Sequence, residues 1–94
     1  QLGIFPLVNK EGPREIAQEL TEQLRMAGFT VEYDATGTIG KRYARADEIG
    51  IPLAITVDFD TLEDNQVTVR DRDTEEQERI AISQLHDYLE KYYK

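Results

Sequence analysis

The sequence predicts one α/β domain over residues 1–94, with a mixed, mostly parallel sheet of about five strands flanked by three helices. Two nearly continuous apolar runs, Leu2 to Val8 and Pro52 to Phe59, are typical of strands that are covered on both faces. Three other segments carry apolar residues at helical spacing. The segment from Gln66 to Arg72 alternates between apolar and polar residues, as a strand with one buried face does. Strands interleaved with helices in this way predict the α/β class.

The first half of the chain predicts a strand, a helix and a second strand. The first apolar run is followed by Pro13, which takes the favoured first position of a helix. This helix is predicted to end near Gly28, because glycine commonly follows the last helical turn. The residues from Phe29 to Tyr33 alternate with polar neighbours and predict a short strand.

A second helix is predicted after the turn-rich loop "DATGTIG". Thr38 is suited to cap its first turn, and the helix runs to about Ile49. Gly50 and Pro52 are expected to end it. The central strand then follows, because "PLAITVDF" is nearly continuous in apolar residues.

The second half of the chain predicts a hairpin and a last helix. The turn "DTLEDN" leads into the alternating strand, in which Arg70 and Arg72 share one face. A further turn precedes "RIAI", a predicted edge strand, and Ser83 is expected to cap the last helix. Right-handed crossovers make the first three strands parallel and the hairpin after Phe59 antiparallel.

The charge of the chain is strongly acidic but unevenly distributed. The formal net charge is −8, which argues against nucleic acid as a partner because phosphate contacts require cations. Between Asp34 and Asp47, however, no acidic residue occurs, and this window holds Lys41, Arg42 and Arg45. The absence of cysteine removes disulfides and zinc-thiolate sites and is compatible with the cytosol. The sequence thus predicts one locally basic segment on an acidic domain.

Short motifs in this basic segment support only a general interpretation. "GTIGKR" fails the Walker phosphate loop, which needs glycine in place of Ala35 and serine or threonine in place of Arg42. "GTIG" fits the G-x-x-G loop of the KH fold, a pattern that is common by chance. A helix start with free backbone amides and nearby cations could hold an RNA phosphate. A solvated helix start with glycines for the turn is the alternative, and the residues leave both open.

No catalytic or metal site is predicted. "DFDTLED" lacks the ligand and the glycine of an EF-hand loop at Leu62 and Glu63. His86 has no partner at the spacing of a nucleophile or of metal ligands, and no nucleophile, base and orienting group occur together. We therefore predict no enzyme activity and no cofactor for this segment alone.

One combination of donors and acceptors points to single-stranded RNA. Arg70 and Arg72 share a strand face, and the preceding turn carries the carboxylates of Asp60 and Glu63. The Watson–Crick edge of cytosine needs this mixture, because its amino group requires an acceptor and its ring nitrogen and carbonyl require donors. We expect these side chains, with the basic helix, to meet at one end of the domain. A solvated surface ladder of alternating charges is the alternative interpretation of "RDRD".

Three blocks of the chain resemble a known family. They are "FPLVNK" (Phe5 to Lys10), "GTIGKRYARADEIGIP" (Gly37 to Pro52) and "TVDFDTLEDNQVTVRDRDTEEQ" (Thr56 to Gln77). In this order and spacing they are similar to the C-terminal anticodon-binding domain of glycyl-tRNA synthetase, a class II synthetase, of the eukaryotic, archaeal and dimeric bacterial type. The resemblance covers nearly the whole chain and weakens after Ile82, and "YARADEIG" together with "VRDRDT" is its most specific part.

The resemblance implies that this domain binds the anticodon loop of glycine tRNA, mainly through two cytosines. It implies a longer parent chain that lies in the cytoplasm, forms a homodimer and does not associate with a membrane. A separate catalytic domain of that parent is expected to use ATP and Mg²⁺. A protein-interaction or structural module of the same fold without RNA binding is the alternative. The implied anticodon contacts are Thr36, Gly37, Arg42, Asp60, Thr61, Glu63, Arg70 and Arg72, with Lys41 and Arg45 toward the RNA backbone.

Overall fold

The computed structural model describes residues 1–93, which form a five-stranded mixed sheet and four helices. The elements in chain order are β1 (Leu2–Pro6), α1 (Pro13–Met26), β2 (Val31–Tyr33), α2 (Ile39–Glu48), β3 (Leu53–Val57), α3 (Thr61–Asp64), β4 (Gln66–Asp71), β5 (Gln77–Ala81) and α4 (Ile82–Tyr92). The strand order is β2-β1-β3-β4-β5, with β1 parallel to β2 and β3, and β4 antiparallel to β3 and β5. The predicted fold class, parallel strands, hairpin and edge strand are confirmed.

The fourth helix, α3, is a single turn where the sequence predicted only a turn. The Asp58 carboxylate explains it, because it accepts hydrogen bonds from the backbone amide and the hydroxyl of Thr61 at 3.1 and 3.2 Å. Side-chain oxygens that bond to free amides in this way start helices. Asn65 ends the turn in the left-handed conformation, with φ of 54°.

The helix ends agree with the sequence at α1 and α2 and differ at α4. Pro13 begins α1, Gly28 follows it with φ of +99°, and the Thr38 hydroxyl accepts from the Lys41 amide at 3.3 Å. The prediction that Ser83 caps the last helix is wrong, because the helix begins at Ile82 with Ala81 before it. Strand β5 pairs with β4 as far as Ala81, so the chain turns into the helix without a loop.

The two faces of the sheet are covered unequally. Helices α1 and α4 pack on one face, where a single apolar cluster includes Leu20, Ile55 and Leu89. Helix α2 packs on the other face over β1 and β3, through Phe5, Ala46, Ile51 and Ala54. The β4 and β5 half of that face carries polar side chains instead. Among the described residues no helix is long and apolar enough to cross a membrane.

Candidate nucleic-acid interface

Two neighbouring surfaces contain the residues singled out in the sequence. The first, which we call the loop edge, lies at the carboxyl ends of the parallel strands and consists of residues 34–38, the first turn of α2 and residues 58–65. The second, the open sheet face, is the half of the sheet that α2 leaves uncovered. It consists of Thr68 and Arg70 on β4 and Gln77 and Arg79 on β5, which the strand register places side by side. Carboxyl ends of parallel strands are common binding positions in α/β folds.

The loop before α2 is held by Arg45. Its guanidinium contacts the Asp34 carboxylate at 2.7 Å and donates to the backbone oxygen of Thr36 at 2.8 Å. Burial opposes ionisation of Asp34, but hydrogen bonds from Thr36 and the charge of Arg45 outweigh it and lower the pKa of this carboxyl. Thr36 and Gly37 are exposed, and Gly37 has φ of +70°. Arg45 therefore shapes the loop rather than standing free, although its side chain remains 44% exposed.

The structure places Arg42 inside the domain, whereas the sequence indicated a surface contact. The residue is 2% exposed, and both Nη atoms donate to backbone oxygens. The acceptors are Pro6, Leu7 at 3.2 Å and Gly37 at 3.5 Å. Pro6 is the last residue of β1 and Leu7 follows it, so their carbonyls lie where the chain leaves the sheet, and the buried cation satisfies them. Arg42 joins the β1 end to the loop before α2 and is not available to a ligand.

Lys41 is exposed and unpaired in the described part of the chain, in contrast to the buried Arg42 that follows it on α2. It is exposed at the start of α2 and forms no ion pair or side-chain hydrogen bond within residues 1–93. A lysine at this position lies beside the free amides of the first helical turn. Lys41 is therefore the cation of the predicted basic segment that can meet an anion without breaking a contact of the fold.

The turn from Asp58 to Asn65 buries one predicted contact residue and exposes two. Thr61 is fully buried, and its hydroxyl bonds to Asp58, so its side chain holds the turn and is not exposed to a ligand. Asp60 and Glu63 are exposed and form no ion pair within the described part of the chain. Their carboxylates remain available as acceptors.

Arg79 lies beside this acidic turn and was not identified from the sequence. Its guanidinium contacts the Asp58 and Asp64 carboxylates, both at 3.1 Å, and donates to the Thr68 hydroxyl at 3.2 Å. Partial burial opposes the charged form, but the two carboxylates outweigh it and raise the pKa of Arg79 above its ordinary value. The pairing depends on the register that sets Arg79 opposite Thr68. Alternation within "RIAI" shows that Arg79 and Ile80 face opposite ways but does not give that register.

Arg70 is fixed by packing while its donors remain unused. Its guanidinium lies over the Tyr43 ring, 4.9 Å from the centroid, and the Tyr43 hydroxyl is 2.6 Å from the Thr56 hydroxyl. The nearest carboxylate, Asp47, is 3.9 Å away. Within residues 1–93 the guanidinium forms no hydrogen bond, so its planar donor group is oriented but not satisfied.

Arg72 and Arg70 do not meet the acidic turn, contrary to the sequence-based expectation. Arg70 pairs with Ala54 near the start of β3, and the Arg72 amide bonds to Pro52, whereas residues 58–65 follow the end of β3. A strand advances about 3.3 Å per residue, so four to six positions separate the two groups by roughly 13–20 Å. The Arg72 side chain is 40% exposed, with Asp73 3.6 Å away. Arg79 takes the position beside the acids.

No group of three or more side chains among the described residues is arranged to hold a metal ion. The interface offers instead a free lysine at the loop edge, two exposed carboxylates on the acidic turn and an oriented arginine on the open sheet face. This arrangement can bind a polyanion at one position and hydrogen-bonding edges of an uncharged group at others.

Comparisons with known proteins show the family to which the chain belongs. The sequence model of the family described as "Anticodon binding domain" matches residues 1–92. The chain is 52% identical over 91 residues to the glycine–tRNA ligase of Methanococcus vannielii and 54% identical over 91 residues to that of Methanocaldococcus jannaschii, covering 97% of this chain and 16% of each ligase. It is 51% identical over 86 residues to the glycine–tRNA ligase of Bifidobacterium longum, covering 92% of this chain and 18% of the ligase.

Solved structures show the same fold in other synthetases. Prolyl-tRNA synthetase from Cryptosporidium parvum, complexed with L-proline and AMP, superposes with a TM-score of 0.88 at 30% identity, covering 98% of this chain and 20% of that one. The RNA binding domain of threonyl-tRNA synthetase from Cryptosporidium parvum Iowa II superposes with a TM-score of 0.86 at 25% identity, covering 97% and 23%. The chain therefore spans about a sixth to a quarter of the length of these proteins.

Proposed function

The chain belongs to the anticodon-binding domain family, and from this premise we propose that it recognises the anticodon loop of glycine tRNA as one domain of a glycine–tRNA ligase. The remainder of such a ligase would activate glycine with ATP and Mg²⁺ in a separate catalytic domain. A homodimeric parent in the cytoplasm belongs to the same proposal. The identity to glycine–tRNA ligases over 97% of this chain supports the choice of amino acid.

The observation that carries the proposal is the state of Arg70. Three other arginines near the interface, Arg42, Arg45 and Arg79, use their Nη groups on backbone oxygens or carboxylates of the domain. Arg70 lies on the Tyr43 ring, forms no hydrogen bond within residues 1–93, and has one carboxylate, that of Asp47, at 3.9 Å. An arginine with a fixed plane and free donors suits bidentate hydrogen bonding to a base, since little side-chain entropy remains to be lost.

The other residues of the interface receive complementary roles. Lys41 is free to contact a phosphate of the loop, and Arg72, just after the end of β4, adds positive charge beyond Arg70. Asp60 and Glu63 can accept hydrogen bonds from cytosine amino groups. Thr36 and Gly37 present exposed backbone at the loop edge. Arg45 is paired with Asp34, so it adds little long-range attraction and serves to shape the loop before α2, while its partly exposed side chain remains near the path of the RNA backbone.

Binding of anticodon stem-loops to the chain tests this function. The amide spectrum of the isotope-labelled chain is followed at low salt with a stem-loop that carries the glycine anticodon and with one in which both cytosines are replaced by uracil. We expect the first to bind more tightly, and Arg70→Ala to reduce the ratio of the two affinities by the equivalent of about 1–3 kcal/mol. Arg70→Lys should restore affinity better than selectivity, because lysine lacks the fork of donors.

Lys91→Ala is the matched control, since Lys91 lies on α4 and thus across the sheet from Arg70. It should leave the ratio unchanged. Equal responses to the two stem-loops would refute base recognition. No response to any RNA would favour a protein-interaction module of the same fold.

A further inference from the structure

The acidic turn at the loop edge presents an aromatic ring to solvent. Phe59 is 50% exposed, in contrast to Phe5, which is 2% exposed in the contact between α2 and the sheet. Leu62, in the same turn, is 48% exposed and packs along the backbone at Gly12. Two half-exposed apolar side chains in one short turn of a candidate interface form a small apolar surface that a partner can cover.

The backbone that carries Phe59 is fixed by hydrogen bonds on both sides. Before it, the Asp58 amide donates to the Thr61 hydroxyl at 3.2 Å, and the Asp58 carboxylate accepts from the Thr61 amide. After it, the Phe59 carbonyl accepts from the Leu62 amide at 3.1 Å. Arg79 holds Asp58 and Asp64 from β5. A ring on such a turn is preorganised, so a partner that binds it loses little free energy to ordering the chain.

The charge around the ring selects which part of an RNA can approach it. Asp60 follows Phe59 directly and Glu63 lies four positions after Phe59 in the same turn, and neither has a cationic partner within residues 1–93. Phosphate groups are repelled from such a surface, whereas the face of a base carries no net charge. Carboxylates beside the ring also accept hydrogen bonds from exocyclic amino groups. The surroundings therefore favour an unpaired base with an amino group over the sugar–phosphate backbone.

We propose that Phe59 is a stacking platform for an unpaired amino-bearing base of the bound RNA loop, with Asp60 and Glu63 as acceptors at its edge. This inference rests on the proposed function and adds a residue to the same interface. Stacking on aromatic side chains is a general means of binding single-stranded RNA, because every base has a π face. Phe59 supplies affinity for the base, while the neighbouring carboxylates decide which edges are accepted.

The test compares three substitutions of Phe59 in the 94-residue chain with the glycine anticodon stem-loop. Phe59→Tyr should bind as the native chain does, and Phe59→Ala should bind about 5- to 160-fold more weakly, the equivalent of about 1–3 kcal/mol for loss of a stacked base. Phe59→Leu should bind nearly as weakly as Phe59→Ala. In proton spectra, the H5 and H6 signals of one cytosine should move upfield on binding, because they lie over the ring, and Phe59→Leu should abolish this movement.

Met26→Ala is the matched control, because Met26 is 85% exposed on α1, away from the interface. It should bind as the native chain does, and thermal unfolding should show all variants folded. If the native chain discriminates the cytosine loop but Phe59→Ala or Phe59→Leu binds equally well, the stacking proposal is overturned and the proposed function stands. If the native chain binds no stem-loop, both are overturned.

Discussion

Helix α2 and strand β4 both contribute arginines to the same side of the molecule, but they use them differently. Arg42 of α2 is buried and bonds to the carbonyls that follow β1. Arg70 of β4 rests on the Tyr43 ring and keeps its donors free. Two of the three cations in the basic segment, Arg42 and Arg45, are therefore used to build the domain, while Arg70 on the strand keeps a guanidinium without hydrogen bonds within residues 1–93. Charge density along the chain does not indicate which cations are available.

The largest expected effect separates two neighbouring cations of α2, Arg42 and Lys41. Arg42→Met leaves the buried carbonyl of Pro6 and the partly buried carbonyl of Leu7 without their donors. The free energy of unfolding should therefore fall by about 3 kcal/mol, since hydrogen bonds to charged groups and their unsatisfied partners each contribute about 1–3 kcal/mol. Lys41→Met should change it by less than about 0.5 kcal/mol, as exposed substitutions do. Urea unfolding measures both. Equal losses would show that the helix needs the two cations alike.

The next effect concerns the link between β5 and the acidic turn. Arg79→Met removes a half-buried guanidinium that Asp58 and Asp64 share, and we expect a loss of about 1 kcal/mol, since such partly solvated ion pairs are weak. Amide hydrogen exchange should become faster in residues 58–65 and stay unchanged in α2. Arg79→Lys should recover only part of the protection, because one ammonium cannot bridge both carboxylates and the Thr68 hydroxyl. Unchanged exchange would mean that Asp58 and Thr61 hold the turn without Arg79.

The sequence predicts the fold well, but it predicts the contacts of the candidate interface poorly. Hydrophobic spacing, Thr38 and Pro13 are local signals, and they located the strands and the first two helices within a few residues. Arg42 lies between the apolar and polar faces of α2 on a helical projection, and the carbonyls it satisfies are 35 and 36 positions away. Such a contact has no local pattern. The partners of Arg79 likewise depend on strand register, which alternation alone leaves open.

A smaller effect, on RNA affinity, is expected from substitution of Lys41. Lys41→Ala should weaken binding of all RNA loops by a similar factor and reduce the slope of log affinity against log salt concentration by about 1, because one phosphate contact is lost. Arg70→Ala should instead change the preference between loops. Lys91→Ala serves as the control for net charge. A loss of preference with Lys41→Ala would assign base recognition to the helix rather than to the strand.

The smallest effect is a pH dependence at the loop before α2. Because Thr36 and Arg45 lower the pKa of Asp34, this carboxylate contributes stability that is fully present above its ordinary value of 3.8 and is lost as the pH falls through the lower folded value. Asp34→Asn removes the contribution. The difference in unfolding free energy between native chain and variant, below about 1 kcal/mol for so exposed a pair, should be constant near neutral pH and shrink below pH 4. A difference that stays constant down to pH 2 would contradict the pairing.

The two edge strands of the sheet, β2 and β5, are poorly suited to pairing with a strand of another molecule. Strand β2 forms one edge of the sheet and has only three residues. Strand β5 forms the other edge and begins with the polar residues Gln77, Glu78 and Arg79. A long, flat, apolar edge would offer unpaired backbone groups to another chain, and charged or very short edge strands discourage such pairing. Arg79, tied inward by two carboxylates, therefore also makes β5 a poor template for a sixth strand. The surface that faces RNA in our proposal can stay open to solvent without inviting aggregation.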